Sequence, residues 1–274
     1  ATTDIYTLPL HDALPICIEI MGRNVFKIVP KDPVITDFQN WHVVFFHGGG
    51  YASESSVNQF LMINKFIKLT GIRVTFVEYP LTPEYNVNHT TLMAFQSYQH
   101  LVQEFPEQQF ILMGDSAGGG LALALALMIK EVVQNQAADS LLPKLKQPEK
   151  LILYSPWLDV SMTHEDIPEY DSKDIFLNLE SLKEVGVRYA ADLSLFDPRV
   201  SPIYGDLNDL GQIALFYGTH EVLAPDCEKL SKVKGLQGTS IQSYVYDEMQ
   251  HDFMVMPLPE QEQVLQETFE FIQK

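Results

Sequence analysis

The chain has 274 residues, 46% apolar and 20% charged, and its 36 Asp and Glu against 18 Lys and Arg leave a formal charge of −18. That length suits one large α/β domain with a well-buried sheet, and the composition lies far from the low-hydrophobicity, high-charge regime of disorder. So acidic a surface repels phosphate backbones and anionic headgroups, and no apolar run approaches the roughly 20 residues of a membrane helix, so neither nucleic acid nor a membrane is an expected partner. The two cysteines, Cys17 and Cys227, have no Cys or His neighbour at zinc-ligand spacing; no disulfide framework or metal site is indicated, and a reducing, cytoplasmic setting is expected.

The opening ATTDIYTLPLHDALPI has neither helical nor strand periodicity. A common sequencing-library adapter, translated in frame, reproduces residues 1–16 except for Asp4 and Pro9, and its leftover base suits the codon of Cys17. Residues 1–16 are therefore expected to be a non-native leader, with the natural protein entering near Cys17 and its own start, with any targeting signal, outside the sequence.

From Val25 onward short apolar runs alternate with longer helical patterns, as β/α units of a mainly parallel sheet do. Strands are predicted at VFKIV from Val25, WHVVFFH from Trp41, IRVTFVEY from Ile72, FILMG from Phe110, KLILYS from Lys150, QIALFYG from Gln212 and IQSYVY from Ile241. Helices are predicted near Asn58 to Leu69, His89 to Glu104, Ser116 to Gln134, Glu180 to Ala190, Pro225 to Val233 and Pro259 to Ile272. Several strands are apolar throughout, as strands covered on both faces must be. The stretch from about Asp159 to Leu207 exceeds a usual crossover and is read as an inserted cap, since long ordered insertions in compact domains are commonly lids.

The strongest local signal is Gly114-Asp115-Ser116-Ala117-Gly118, a G-x-S-x-G sequence between an apolar strand and a helical run. Such a strand-to-helix turn projects a serine hydroxyl above a sheet, and the unpaired N–H groups of the helix start favour developing negative charge. A second signal, His47-Gly48-Gly49-Gly50-Tyr51, follows a strand and can expose backbone N–H groups to a substrate oxygen; it lacks the Lys and Ser/Thr of a phosphate loop. Gly48, Gly49 and Ala117 are the expected oxyanion donors, and His47 is expected to be structural.

These motifs, with EYPLTPE from Glu78, SPWLD from Ser155, DPRVSP from Asp197 and GTHEVLAPD from Gly218, resemble the hormone-sensitive-lipase-like family of carboxylesterases. The resemblance spans roughly Trp41 to the C-terminus and implies an α/β-hydrolase core with a helical cap, no cofactor, and hydrolysis of short- to medium-chain acyl esters. Two features depart from the family: its Tyr-Arg-Leu-Ala-Pro-Glu box reads Tyr79-Pro80-Leu81-Thr82-Pro83-Glu84, and its N-terminal cap helix has no counterpart before Val25.

α/β-Hydrolases run nucleophile, acid, histidine along the chain, and only His251 follows the acid region. The acid is expected to be Glu221, just beyond the strand ending at Gly218 and at the acidic position of the family's pattern, rather than Asp226 or Asp247. The expected chemistry is attack of Ser116 on an ester carbonyl, with His251 as base oriented by Glu221, and an acyl-enzyme. Two other readings stay open: an amidase, peptidase or deacylase on the same groups, and a binding protein on a hydrolase scaffold. The sequence is compatible with a monomer or a homo-oligomer.

Overall fold

The computed structural model describes residues 9–32, 38–136 and 145–274. Residues 1–8 of the expected leader lie outside them. Eight strands form one sheet: β1 (Ala13–Ile20), β2 (Arg23–Pro30), β3 (Trp41–Phe46), β4 (Arg73–Val77), β5 (Gln109–Asp115), β6 (Lys150–Tyr154), β7 (Gly211–Gly218) and β8 (Thr239–Tyr246). Their spatial order is β1-β2-β4-β3-β5-β6-β7-β8; β1 and β2 run antiparallel to their neighbours and the rest are parallel. Each predicted strand is present, shifted by a residue or two at its ends.

Residues 13–16, within the expected leader and in no predicted element, form the first half of β1, which runs in register from Ala13 against Pro30 to Ile20 against Arg23. Ala13 is buried, the Asp12 N–H donates to Asn64 Oδ1 at 2.9 Å, and Asn64 Nδ2 donates to Asp12 Oδ2 at 3.0 Å. The ladder satisfies the backbone whatever the side chains, so an edge strand forms here with little apolar alternation; only its antiparallel partner is needed.

Between the strands lie α1 (Val57–Thr70), α2 (Val87–Glu104), α3 (Ala117–Gln134), α4 (Ile167–Asp171), α5 (Leu179–Ala190), α6 (Ala224–Ser231) and α7 (Pro259–Gln273). The strand pleat divides the core in two. Val44, Phe46, Leu112, Leu151, Leu153 and Leu215 pack with α2, α3 and α6, whereas Val43, Phe45, Ile111, Ile152, Ala214 and Phe216 pack with α1 and α7. This alternation is the period of two that sends successive side chains to opposite faces.

α3 modifies the expectation about apolar runs: its 18 residues are long and apolar enough to cross a membrane, but 72% of them are buried inside the domain. A helix apolar on all sides is what a core position between the sheet and α2 requires. α1 starts at a capping box in which Ser56 Oγ accepts from the Gln59 N–H while Gln59 Oε1 accepts from the Ser56 N–H, and it stops at Gly71, whose φ of 70° suits glycine.

Removing residues 1–16 would take half of an outermost strand and leave the parallel strands intact. The truncated chain is expected to fold with a thermal midpoint lower by a few degrees, the response to a loss of about 1 kcal/mol; a scanning-calorimetry comparison measures it, and loss of the folding transition would show that β1 is essential to the sheet.

Candidate active site

Ser116 stands between β5 and α3 with φ 52° and ψ −121°, a strained backbone for a residue with a side chain. The turn is held by the Ser116 N–H donating to Tyr154 O at 2.8 Å and the Trp157 N–H donating to Ser116 O at 2.9 Å. The flanking glycines are steric necessities. A Cβ on Gly118 would stand 2.0 Å from Phe46 O, and one on Gly114 would stand 2.4 Å from the Gly118 backbone. α3 can thus start hard against the end of β3, which puts the serine beside the glycine run.

Three residues distant in sequence meet at this point. His251 Nε2 lies 2.9 Å from Ser116 Oγ, and His251 Nδ1 lies 2.5 Å from Glu221 Oε2. A carboxylate only accepts, so Nδ1 carries the proton donated to Glu221, and Nε2 presents its lone pair to the serine hydroxyl. The other Glu221 oxygen, Oε1, accepts from the Gly218 N–H and from Ser155 Oγ, both at 2.9 Å. Glu221 is completely buried, and its short loop after β7 is the place the sequence assigns to it. The arrangement can pass a proton from a serine hydroxyl to an imidazole whose tautomer is fixed.

The rival acids are elsewhere. Asp226 is buried on α6 with both carboxylate oxygens unpartnered among the described residues, and burial pushes its carboxyl up to about 7. Asp247 is exposed and accepts from Thr219 Oγ1 at 3.0 Å. Ser155 escaped the sequence reading as a site residue, although it opens the SPWLD motif; only the folded chain brings β6 beside Glu221.

The glycine run differs in one respect from expectation. The Gly48 N–H donates to Asp115 Oδ1 at 2.9 Å, so this donor is committed to holding the loop against the serine turn and is not free for a substrate. Asp115 Oδ2 in turn accepts from Gln59 Nε2 at 2.6 Å. The N–H groups of Gly49, Gly50 and Ala117 have no protein acceptor among the described residues. His47 is structural: its Nδ1 donates to Gly48 O at 2.6 Å, its ring stacks on Tyr79 at 4.3 Å, and burial pulls its pKa down to about 4.

Beside His251 lies a cavity of about 310 Å³ whose lining includes Gly49, Phe176, Asp252, Val255 and Met256. A larger groove of about 880 Å³ runs between α2, α3 and residues 197–206, and it is lined by none of Ser116, Glu221 and His251. Among the described residues no three His, Cys, Asp or Glu side chains converge as a metal site requires.

The sequence pattern of the α/β-hydrolase fold family matches residues 43–255. The chain is 30% identical over 230 residues to an esterase of Acinetobacter venetianus, covering 82% of this chain and 72% of that protein. The chain belongs to the hormone-sensitive-lipase-like family of α/β-hydrolase esterases. It is also 27% identical over 210 residues to an acetyl-hydrolase of Streptomyces hygroscopicus, covering 76% of this chain and 67% of that protein. In fold it superposes, with a TM-score of 0.84 and 24% identity, on an esterase of the bacterial hormone-sensitive lipase family, covering 97% of this chain and 86% of that one.

The contact of Gly118 with β3 makes the turn intolerant of a methyl group. Gly118→Ala is expected to cost about 3 kcal/mol or more, the upper end of overpacking in a tight core, because the obstacle is backbone oxygen and not a movable side chain. Equilibrium denaturation of the purified variant reads this directly.

Proposed function

We propose that this chain hydrolyses short- to medium-chain carboxylic esters through an acyl-enzyme on Ser116, with His251 as general base and Glu221 as its orienting acid. The observation that carries the reading is the continuous hydrogen-bonded line from Glu221 through both nitrogens of His251 to Ser116 Oγ. The buried carboxylate keeps Nδ1 protonated and favours the imidazolium that forms as the serine proton leaves.

In this reading the substrate carbonyl oxygen is received by the N–H groups of Gly49, Gly50 and Ala117, at the start of α3 where the helix dipole adds to the donors. Gly48 is left out because its N–H is already taken by Asp115. The imidazolium then passes its proton to the departing alkoxide, and water, deprotonated by the same imidazole, releases the acid. The cavity of about 310 Å³ favours a short acyl or alcohol group, as does the similarity to an acetyl-hydrolase.

We assign the segment of residues 159–207 as the cap of this site. Its support is a set of ties to the loops that carry the histidine and the acid. The Ile175 N–H donates to Gln250 Oε1 and Gln250 Nε2 to Lys173 O, both at 3.0 Å, while the Val222 N–H donates to Asp174 Oδ2 at 2.9 Å. Phe176 reaches the cavity that His251 lines.

Ser116→Ala and His251→Ala are each expected to lower p-nitrophenyl acetate turnover by about a thousandfold or more, with the double variant scarcely worse, because the members act as a unit. Glu221→Gln is expected to lose turnover by orders of magnitude while Asp226→Asn and Asp247→Asn retain most of it. Additive losses in the double variant, or full activity in Glu221→Gln, would remove the assignment. A series of p-nitrophenyl esters from acetate to palmitate, run beside the matching anilides, is expected to peak at the short esters.

A further inference from the structure

The residue after the histidine is an aspartate, and the reaction as proposed does not use it. Asp252 sits at φ 54° and ψ 26°, a left-handed conformation that Asp tolerates better than most residues, and its side chain turns back on its neighbour: Asp252 Oδ2 lies 3.2 Å from His251 Nε2. The Asp252 N–H approaches Ser155 Oγ at 3.4 Å, and the same hydroxyl donates to Glu221 Oε1. One serine therefore relates the carboxylates on the two sides of the imidazole. The other Asp252 oxygen, Oδ1, is buried without a partner among the described residues.

Nδ1 is committed as a donor to Glu221, so a neutral His251 has only a lone pair at Nε2. That lone pair can accept the Ser116 hydroxyl, but against Asp252 Oδ2 it sets acceptor against acceptor. If Nε2 carries a proton, the contact becomes a charge-assisted hydrogen bond. Asp252 thus discriminates between the two protonation states of the nitrogen that must take the serine proton.

We propose that Asp252 is a second carboxylate partner of His251, one that binds Nε2 only in its protonated form and so sets the pH at which the base becomes available to Ser116. The inference rests on the reading of His251 as general base. Among the described residues, the polar groups that meet the imidazole nitrogens are acidic or neutral: Glu221 after β7, Asp252 beside it, and Ser116 at the start of α3. Two further carboxylates lie near Asp252. Asp115, at the end of β5, has its carboxyl pushed up by burial and then by the charge of Asp252; Glu54 lines the same cavity and pairs with Arg23 at 3.4 Å. Burial pulls the imidazole toward its neutral form, but Asp252 and Glu221 outweigh it and hold its pKa well above the ordinary value.

The sign follows. A protonated His251 cannot take the serine proton, so activity falls as pH drops through the imidazole pKa, and any group that favours the imidazolium moves that limb upward. The experiment follows the rate of Ser116 labelling by a fluorophosphonate, and kcat/KM for p-nitrophenyl acetate, against pH in the wild type, Asp252→Asn and Asp252→Gly; both replacements accept a left-handed backbone. The wild-type acid limb is expected above the ordinary histidine value of about 6.5. In both variants it is expected lower by about one pH unit, so that one unit below the wild-type midpoint each keeps about fivefold more of its own plateau rate. A wild-type limb at or below the ordinary value, which needs no variant, or an unmoved limb in a folded variant, overturns the proposal. Absence of labelling at every pH would instead overturn the serine-hydrolase reading on which it rests.

Discussion

Everything at the site depends on how closely the first turn of α3 approaches the carboxyl end of β3. The Phe46 and His47 carbonyls occupy the space where a Gly118 side chain would stand, and the serine turn is thereby pressed against the glycine loop. Asp115, the residue before Ser116, then joins the two by accepting the Gly48 N–H, and Gln59 of α1 holds its other oxygen. Because the capping box fixes Gln59 at the start of α1, the helix after β3, the glycine loop and the serine turn form one rigid unit. Strain at Ser116 is sustained by contacts on three sides, as strained functional positions require.

The second constraint is electrostatic. Glu221 has no exposure, and its oxygens are filled by Gly218, Ser155 and His251. A buried carboxylate with both oxygens hydrogen-bonded keeps a fixed direction, which suits it to orient an imidazole. Placing a second carboxylate at Nε2 has the opposite character. Asp252 has one oxygen on the histidine and one unpartnered, so it is free to respond to the charge beside it. In the reaction as proposed, one acid fixes the tautomer and the other responds to the proton.

The sequence made the central architecture legible because β3 through β7 are apolar on both faces and α1, α2, α3 and α7 carry full helical patterns; burial on both sides leaves a strong signal. β1 carries little such signal: it pairs at an edge, alternates poorly and includes Pro15, so its ladder hydrogen bonds leave little trace in residue type. α4 is too short, at five residues, for a period of 3.6 to appear. That Ser116, His251 and Glu221 meet could be expected from motif and chain order, since each lies in a loop just after a strand. The donors could not be ranked the same way. Three consecutive glycines look equivalent in a sequence, and only the approach of Asp115 reveals that the first N–H is already engaged.

The altered box at Glu78–Glu84 carries the same lesson further. Where the family pattern has an arginine this chain has Pro80, yet a guanidinium still reaches this box, from a different strand: Arg23 of β2 donates through Nε to Glu78 O and through Nη2 to Tyr79 O, each at 3.2 Å. Tyr79 passes the constraint on, since its hydroxyl donates to His47 O at 2.6 Å and its ring stacks on the His47 imidazole. His47 orients Gly48 O, and Gly48 leads into the free N–H groups of Gly49 and Gly50. The antiparallel β2 thus contributes to the glycine loop from outside the parallel core. Two carbonyls at one guanidinium are a weaker anchor than a carboxylate pair, but Arg23 is partly shielded from water, and donors spaced along a rigid fork tie two successive carbonyls to one side chain. A guanidinium can therefore serve this box from a neighbouring strand where the box itself carries Pro80.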